Sequence, residues 1–80
     1  MRTPRDLSGR DLAKGLCKYW EYREVSQEGS HLLLATDVPS HQRIAIPLHR
    51  SLKIGTLKDI LRAVANHKGT TSNDILKPIL

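Results

Sequence analysis

The spacing of apolar residues changes from segment to segment along this chain, and each change marks an element. Leu12, Ala13, Leu16 and Trp20 recur at helical spacing and predict a first helix with one buried stripe. Ser8 stands just ahead of it with Asp11 three residues on, an acidic variant of the capping box that opens the helix. Gly15 lies inside it and weakens it by up to ~1 kcal/mol relative to alanine, so the helix needs tertiary packing to persist. The period then shortens to two. Residues 22–27 alternate loosely, with Val25 the clearest apolar member, and residues 31–37 carry the run Leu32-Leu33-Leu34. Residues 42–48 place Ile44, Ile46 and Leu48 on one face. Glu28-Gly29-Ser30 reads as a hairpin turn with Gly29 free to take a positive φ, and Val38-Pro39-Ser40-His41 as a loop. Pro47 has no N–H to donate and belongs at a strand end or sheet edge.

A second helix is the clearest element. Leu57, Ile60, Leu61 and Val64 fall at i, i+3, i+4 and i+7, with Lys58 and Arg62 four apart on the opposite face. Thr56 and Asp59 repeat the capping pattern and put its start at Gly55-Thr56, while Lys68-Gly69 ends it. A short last helix starts near Thr71, carries Ile75, Leu76, Ile79 and Leu80, and is limited by Pro78. Residues 1–7 form a lead-in, with Pro4 forcing an extended chain before it. The order α-β-β-β-α, plus a small extra C-terminal helix, predicts an α+β fold. Its three-stranded antiparallel sheet has the helices on one face and leaves the other open. That is the layout of a double-stranded-RNA-binding domain.

Composition narrows the picture. Eighty residues make one domain over 1–80, near the lower limit for a single core. One cysteine, Cys17, allows no internal disulfide and no zinc pattern, which points to a reducing compartment. The first twelve residues are too polar for a signal peptide, and no apolar run nears the ~18 residues that span a membrane. A soluble, cytoplasmic protein is expected. The net charge of +5, from 13 Lys and Arg against 8 Asp and Glu, is a moderate excess compatible with a polyanionic partner. The basic residues are spread along the chain rather than gathered in an arm, and there is no internal repeat.

Three stretches carry the candidate chemistry: SGRDLAKGL, SQEGSHLLL and IPLHRSLKIGTLKDILRAVA. They hold a Ser-Gly-basic-acidic-Leu helix start (Ser8 to Leu12), a Gly-Ser-His turn (Gly29-Ser30-His31), a Pro-x-His segment (Pro47-Leu48-His49) and Gly55-Thr56-Leu57 leading into a helix. In this order and at this spacing, over residues 8–65, they resemble the HicA toxin family, small ribonucleases of bacterial toxin–antitoxin pairs. The resemblance implies the toxin of a type II pair, a metal-independent endoribonuclease that cuts mRNA and blocks translation. It also implies a double-stranded-RNA-binding-domain-like fold, no cofactor, and a HicB-type antitoxin that covers the active site.

On this resemblance His31 corresponds to the catalytic histidine; taken alone it would be a polar residue capping a turn. The chemistry needs little else, because RNA brings its own nucleophile, the 2′-hydroxyl. One imidazole can take the 2′ proton or protonate the leaving 5′ oxygen, and such help is worth ~10²–10⁴ in rate. No carboxylate pair, triad or metal-ligand spacing competes. Gly29 and Ser30 deliver His31 and belong with it to the RNA contact. His49 sits where it could orient substrate or act as the opposite proton carrier, or be a surface histidine making a backbone hydrogen bond. Lys53, Lys58 and Arg62 beside Thr56 make a phosphate site at a helix N-terminus, or a solubilising face. Arg10, Lys14, Lys18 and Arg23 could extend it. His41 and His67 read as solvated, with His67 facing the negative end of its helix.

Tyr19, Trp20 and Tyr22 are all the aromatics and are expected to anchor the core. Leu32, Leu33 and Leu34 cannot all face one core, and the one that leaves it is a candidate antitoxin contact. Glu21 stands where the family commonly has glycine, so the first helix must close without a residue at ease at positive φ. Ser26, Gln27 and Glu28 replace basic residues before the turn, which weakens phosphate attraction beside His31. The same fold holding structured RNA without cutting it is the alternative function.

Overall fold

The structure is a computed structural model and describes residues 7–80; the extended lead-in expected at Pro4 lies outside them. The elements are α1 (Gly9–Tyr19), β1 (Arg23–Glu28), β2 (His31–Thr36), β3 (Gln42–Pro47), α2 (Ile54–Lys68) and α3 (Ser72–Leu76). The strands form one antiparallel sheet in the order β1-β2-β3. Leu32 pairs with Ile46 and Leu34 with Ile44. With Leu12 and Leu16 of α1, Leu57, Leu61 and Val64 of α2, and Ile75 and Leu76 of α3, they form one core. All three helices therefore lie on the face that these even-numbered strand residues present. Leu33, half-buried, is the member of the leucine triplet that points to the open face.

One expectation about the core needs correction, that for the aromatics. Val25, the clearest apolar member of β1, lies outside the core: β1 carries a bulge between Glu24 and Ser26, the extra residue is Val25, and it is 42 % exposed. An alternating pattern gives no warning of an inserted residue, and the whole of β1 is exposed as a sheet edge. Of the aromatics, Tyr22 is buried and bonds Gln42 through its hydroxyl, and half-buried Trp20 donates Nε1–H to the Ile75 carbonyl at 3.0 Å. Tyr19 is not a core residue; it is 46 % exposed, with the Lys18 ammonium 5.2 Å from its ring centroid.

The helix ends obey local chemistry with one exception. Ser8 Oγ accepts from the Asp11 N–H at 3.0 Å, and Thr71 Oγ1 accepts from the Asp74 N–H at 3.2 Å. Gly69, at φ 71°, closes α2. The exception is the start of α2. Lys53 occupies the cap with no side-chain bond, and Thr56 falls inside the first turn. Leu52 is buried and its N–H reaches the Leu7 carbonyl at 2.9 Å, while Leu57 N–H closes onto Lys53 O at 2.9 Å. Packing of Leu52 and Leu57 thus starts the helix earlier than the Thr-x-x-Asp pattern does.

The strain foreseen at Glu21 is present. Its φ is 62°, the only positive value at a non-glycine among the described residues, and Trp20 and Tyr22 N–H both bond Leu16 O, at 3.0 and 3.3 Å. A side chain in this region costs roughly 1–2 kcal/mol, partly offset by the extra freedom glycine has when unfolded. Glu21→Gly is expected to stabilise the protein by about 0.5–1 kcal/mol, seen as a higher urea midpoint at unchanged slope.

Candidate functional site

His31 is the first residue of β2, facing Glu28 across the hairpin and Pro47 of β3 on its other side. The turn needs Gly29: its φ of 59° leaves a two-residue loop between Glu28 and His31. His31 shares the open face with Leu33, is exposed, and its ring makes no hydrogen bond among the described residues. The β2–β3 ladder continues one step past the strands, with Leu48 N–H donating to Ser30 O at 2.7 Å. The chain leaving β3 is then taken up by α1, because Gly9 N–H donates to His49 O at 3.0 Å.

Gly9 makes that junction possible. A Cβ there would lie 1.8 Å from the Pro47 carbonyl oxygen, so the first turn of α1 rests directly on the backbone leaving β3. Sequence reasoning took Ser8-Gly9 as a helix start only; the glycine directly after the cap is the one signal that could have shown the close approach. The junction also places Arg10, exposed in the first turn of α1, at the His31 end of the sheet. His49 is exposed, and its carbonyl takes the Gly9 bond.

The start of α2 reaches the same end. Lys53 follows His49 by four residues, a span of at most ~14 Å. Lys53 makes no side-chain cap bond at the positive end of the α2 dipole, where Gly55 is exposed and Thr56 half-buried. Lys58 and Arg62 are exposed on the outer side of α2, the second about 6 Å further along the axis. They belong to the helix layer, whereas His31 is on the sheet's open face, so they do not share a surface with it, and Arg62, past the middle of α2, does not share its end of the molecule either. Lys14 and Lys18 continue from Arg10 along α1 and are exposed. Arg23 is at the opposite end, paired with Asp37 at 2.8 Å.

Asp37 and Lys68, whose protonation the fold shifts, lie at that opposite end and hold the β2–β3 loop. Asp37 accepts from His41 Nδ1 at 2.9 Å and from Arg23, and the histidine bond, followed by the arginine's charge, pulls its carboxyl down. His67 Nε2 meets Ser40 O at 2.7 Å. Both histidines expected to be merely solvated are thus bonded, His41 to a carboxylate four residues back and His67 to a carbonyl distant in sequence, and only the second is invisible to sequence. Lys68 donates to Thr36 Oγ1 and Val38 O at 3.0 and 2.6 Å above the Tyr22 ring, and burial lowers its pKa. Cys17 is unpaired, its thiol pushed up by burial and then by Glu24.

Burial lifts the Tyr22 phenol to about 12 from 10.0. A raised folded-state value means that its contribution is complete below the unfolded value and fades as pH climbs towards the folded one. Stability is expected to fall by about 2 kcal/mol between pH 10 and 12. Tyr22→Phe should be less stable at neutral pH, through loss of the Gln42 bond, and flatter across that window when urea midpoints are compared.

Among the described residues no group of three or more His, Cys, Asp or Glu is placed to hold a metal ion, and no helix is long and apolar enough to cross a membrane. A scan against protein-family models, a search of curated proteins and a search of solved structures each return no match.

Proposed function

We propose that the chain is a HicA-type endoribonuclease on a double-stranded-RNA-binding-domain-like frame, cutting mRNA in the cytoplasm without a metal. The observation that carries the reading is that His31 stands exposed where the hairpin tip, the exit of β3 and the N-termini of α1 and α2 come to one end. In the reaction the 2′-oxygen attacks the adjacent phosphorus and the bond to the 5′-oxygen breaks. A 2′,3′-cyclic phosphate and a 5′-hydroxyl remain. His31 removes the 2′ proton or supplies the 5′ proton, and the opposite transfer falls to water or His49. Lys53, Lys58 and Arg62 with the first turn of α2, and Gly29 and Ser30 at the hairpin tip, hold the strand through its phosphates. A HicB-type antitoxin would cover His31 and could rest on Leu33, two residues on and on the same face.

The ring of His31 has no orienting partner among the described residues, and this favours the second reading, a module that binds structured RNA without cutting it. Labelled RNA incubated with the protein and a chelator separates the two. Fragments ending in 2′,3′-cyclic phosphate support the nuclease, whereas intact RNA with a salt-dependent gel shift supports the module.

A further inference from the structure

β1 presents an unpaired edge of an unusual kind. Ser30 O points to β3, where it accepts Leu48 N–H, so in β2 the even residues turn their backbone groups to β3 and the odd ones to β1. The β1 residues opposite His31, Leu33 and Ala35 are Glu28, Ser26 and Arg23, and their backbone groups turn inward. Those of Glu24 and Gln27 therefore turn outward. Residues three apart in a regular strand point to opposite edges; the inserted Val25 restores them to the same one. The bulge that would ordinarily blunt an edge here leaves two outward N–H and C=O pairs with matched orientation.

Read against itself in antiparallel order, the segment Arg-Glu-Val-Ser-Gln-Glu is complementary in one register. Glu24 then meets Gln27 of a second copy, each of the two outward pairs closing reciprocal backbone bonds, with the carboxylate facing the amide on the helix side. Arg23, which also bonds Asp37 of its own chain at 2.8 Å, meets Glu28 of the second copy, opposite charges on the open face. Val25, exposed by 42 %, lies beside the two-fold axis opposite Ser26 of the second copy. Moving the register one residue in one direction sets Glu24 against Glu28; in the other it removes the charge pairs.

We infer that β1 is a self-association edge, through which two copies of this chain join into a continuous six-stranded sheet about a two-fold axis between Val25 and Ser26. The contact is small, with none of the apolar core of an obligate interface, so the dimer is weak and concentration-dependent. It goes beyond the proposed nuclease activity and does not depend on it.

Sedimentation velocity over micromolar to millimolar protein tests it, with mass expected to rise from 9.0 kDa towards twice that value. Arg23→Glu and Glu28→Arg each set like charges opposite one another twice and should weaken association roughly tenfold to a hundredfold; the double variant R23E/E28R should restore it. Gln27→Pro deletes an N–H that points outward and is absent from the β1–β2 ladder, so it should abolish the dimer while circular dichroism stays native. If the Pro variant fails to fold, the charge-swap set still decides. A mass fixed at 9.0 kDa throughout, or single charge reversals that associate as tightly as the parent, overturns the inference.

Discussion

Alanine at Gly9 is expected to destabilise the protein by about 3 kcal/mol or more, a large share of the ~5–15 kcal/mol available to a small domain. The added carbon would lie 1.8 Å from Pro47 O, 2.8 Å from Pro47 C and 3.3 Å from Leu48 Cα. These are backbone atoms, so no rotamer change relieves the overlap. Nor is that backbone free to retreat, because Leu48 N–H is bonded to Ser30 O and His49 O to Gly9 N–H. Either α1 lifts from the sheet and exposes part of the packing around Leu12, Ala13 and Leu16, or the ladder beside the hairpin opens. Gly15→Ala is the control. Its new carbon would meet the branched Ile79 side chain rather than backbone, with Cγ1 at 2.5 Å and Cγ2 at 2.8 Å, so that residue must shift to admit it, while alanine returns up to ~1 kcal/mol of helix propensity. Urea midpoints should therefore fall steeply for Gly9→Ala and distinctly less for Gly15→Ala. Similar midpoints for both would mean that α1 does not rest on the exit of β3.

The contrast between the two glycines shows what a sequence can carry. Ser8, Gly29, Gly69 and Thr71 act through groups within a few residues of themselves, and caps and turns placed by those residues appear where expected. The same holds for the alternation of Leu32, Leu34, Ile44 and Ile46, since one face of a sheet must be buried. The strain at Glu21 was legible because the resembling family commonly has glycine there, and a side chain takes its place at positive φ. Local signals failed where a distant contact decided the outcome. Leu52 against Leu7 moved the start of α2, and His67 found the Ser40 carbonyl through the fold. At the candidate site, the hairpin tip and the basic residues of α2 could be named from sequence, but not their separation into layers. The inclusion of Arg10 depends on the Gly9 junction, for which the sequence offers a bare glycine.

His31→Ala is expected to lower RNA cleavage by at least ~10²-fold while leaving stability within about 0.5 kcal/mol of the parent. The two halves of this result come from the same fact. The imidazole is exposed at the start of β2 and bonds nothing among the described residues, so its removal should be felt mainly in chemistry or RNA contact. Cleavage at saturating RNA separates those two roles, because a lost proton carrier lowers the maximal rate and a lost contact raises the RNA concentration needed. His49→Ala serves as the comparison. As the opposite proton carrier it would lose a similar factor, whereas as a surface residue it would lose little, since its bond to Gly9 runs through its backbone and survives the change. Lys53→Ala and Lys58→Ala should leave the maximal rate alone, weaken binding across sequences and reduce the salt dependence by about one unit for each phosphate contact removed. An alanine variant at His31 that cuts at the parental rate would take the proton chemistry away from this residue. The exposed end of the sheet would then be a place where RNA is held.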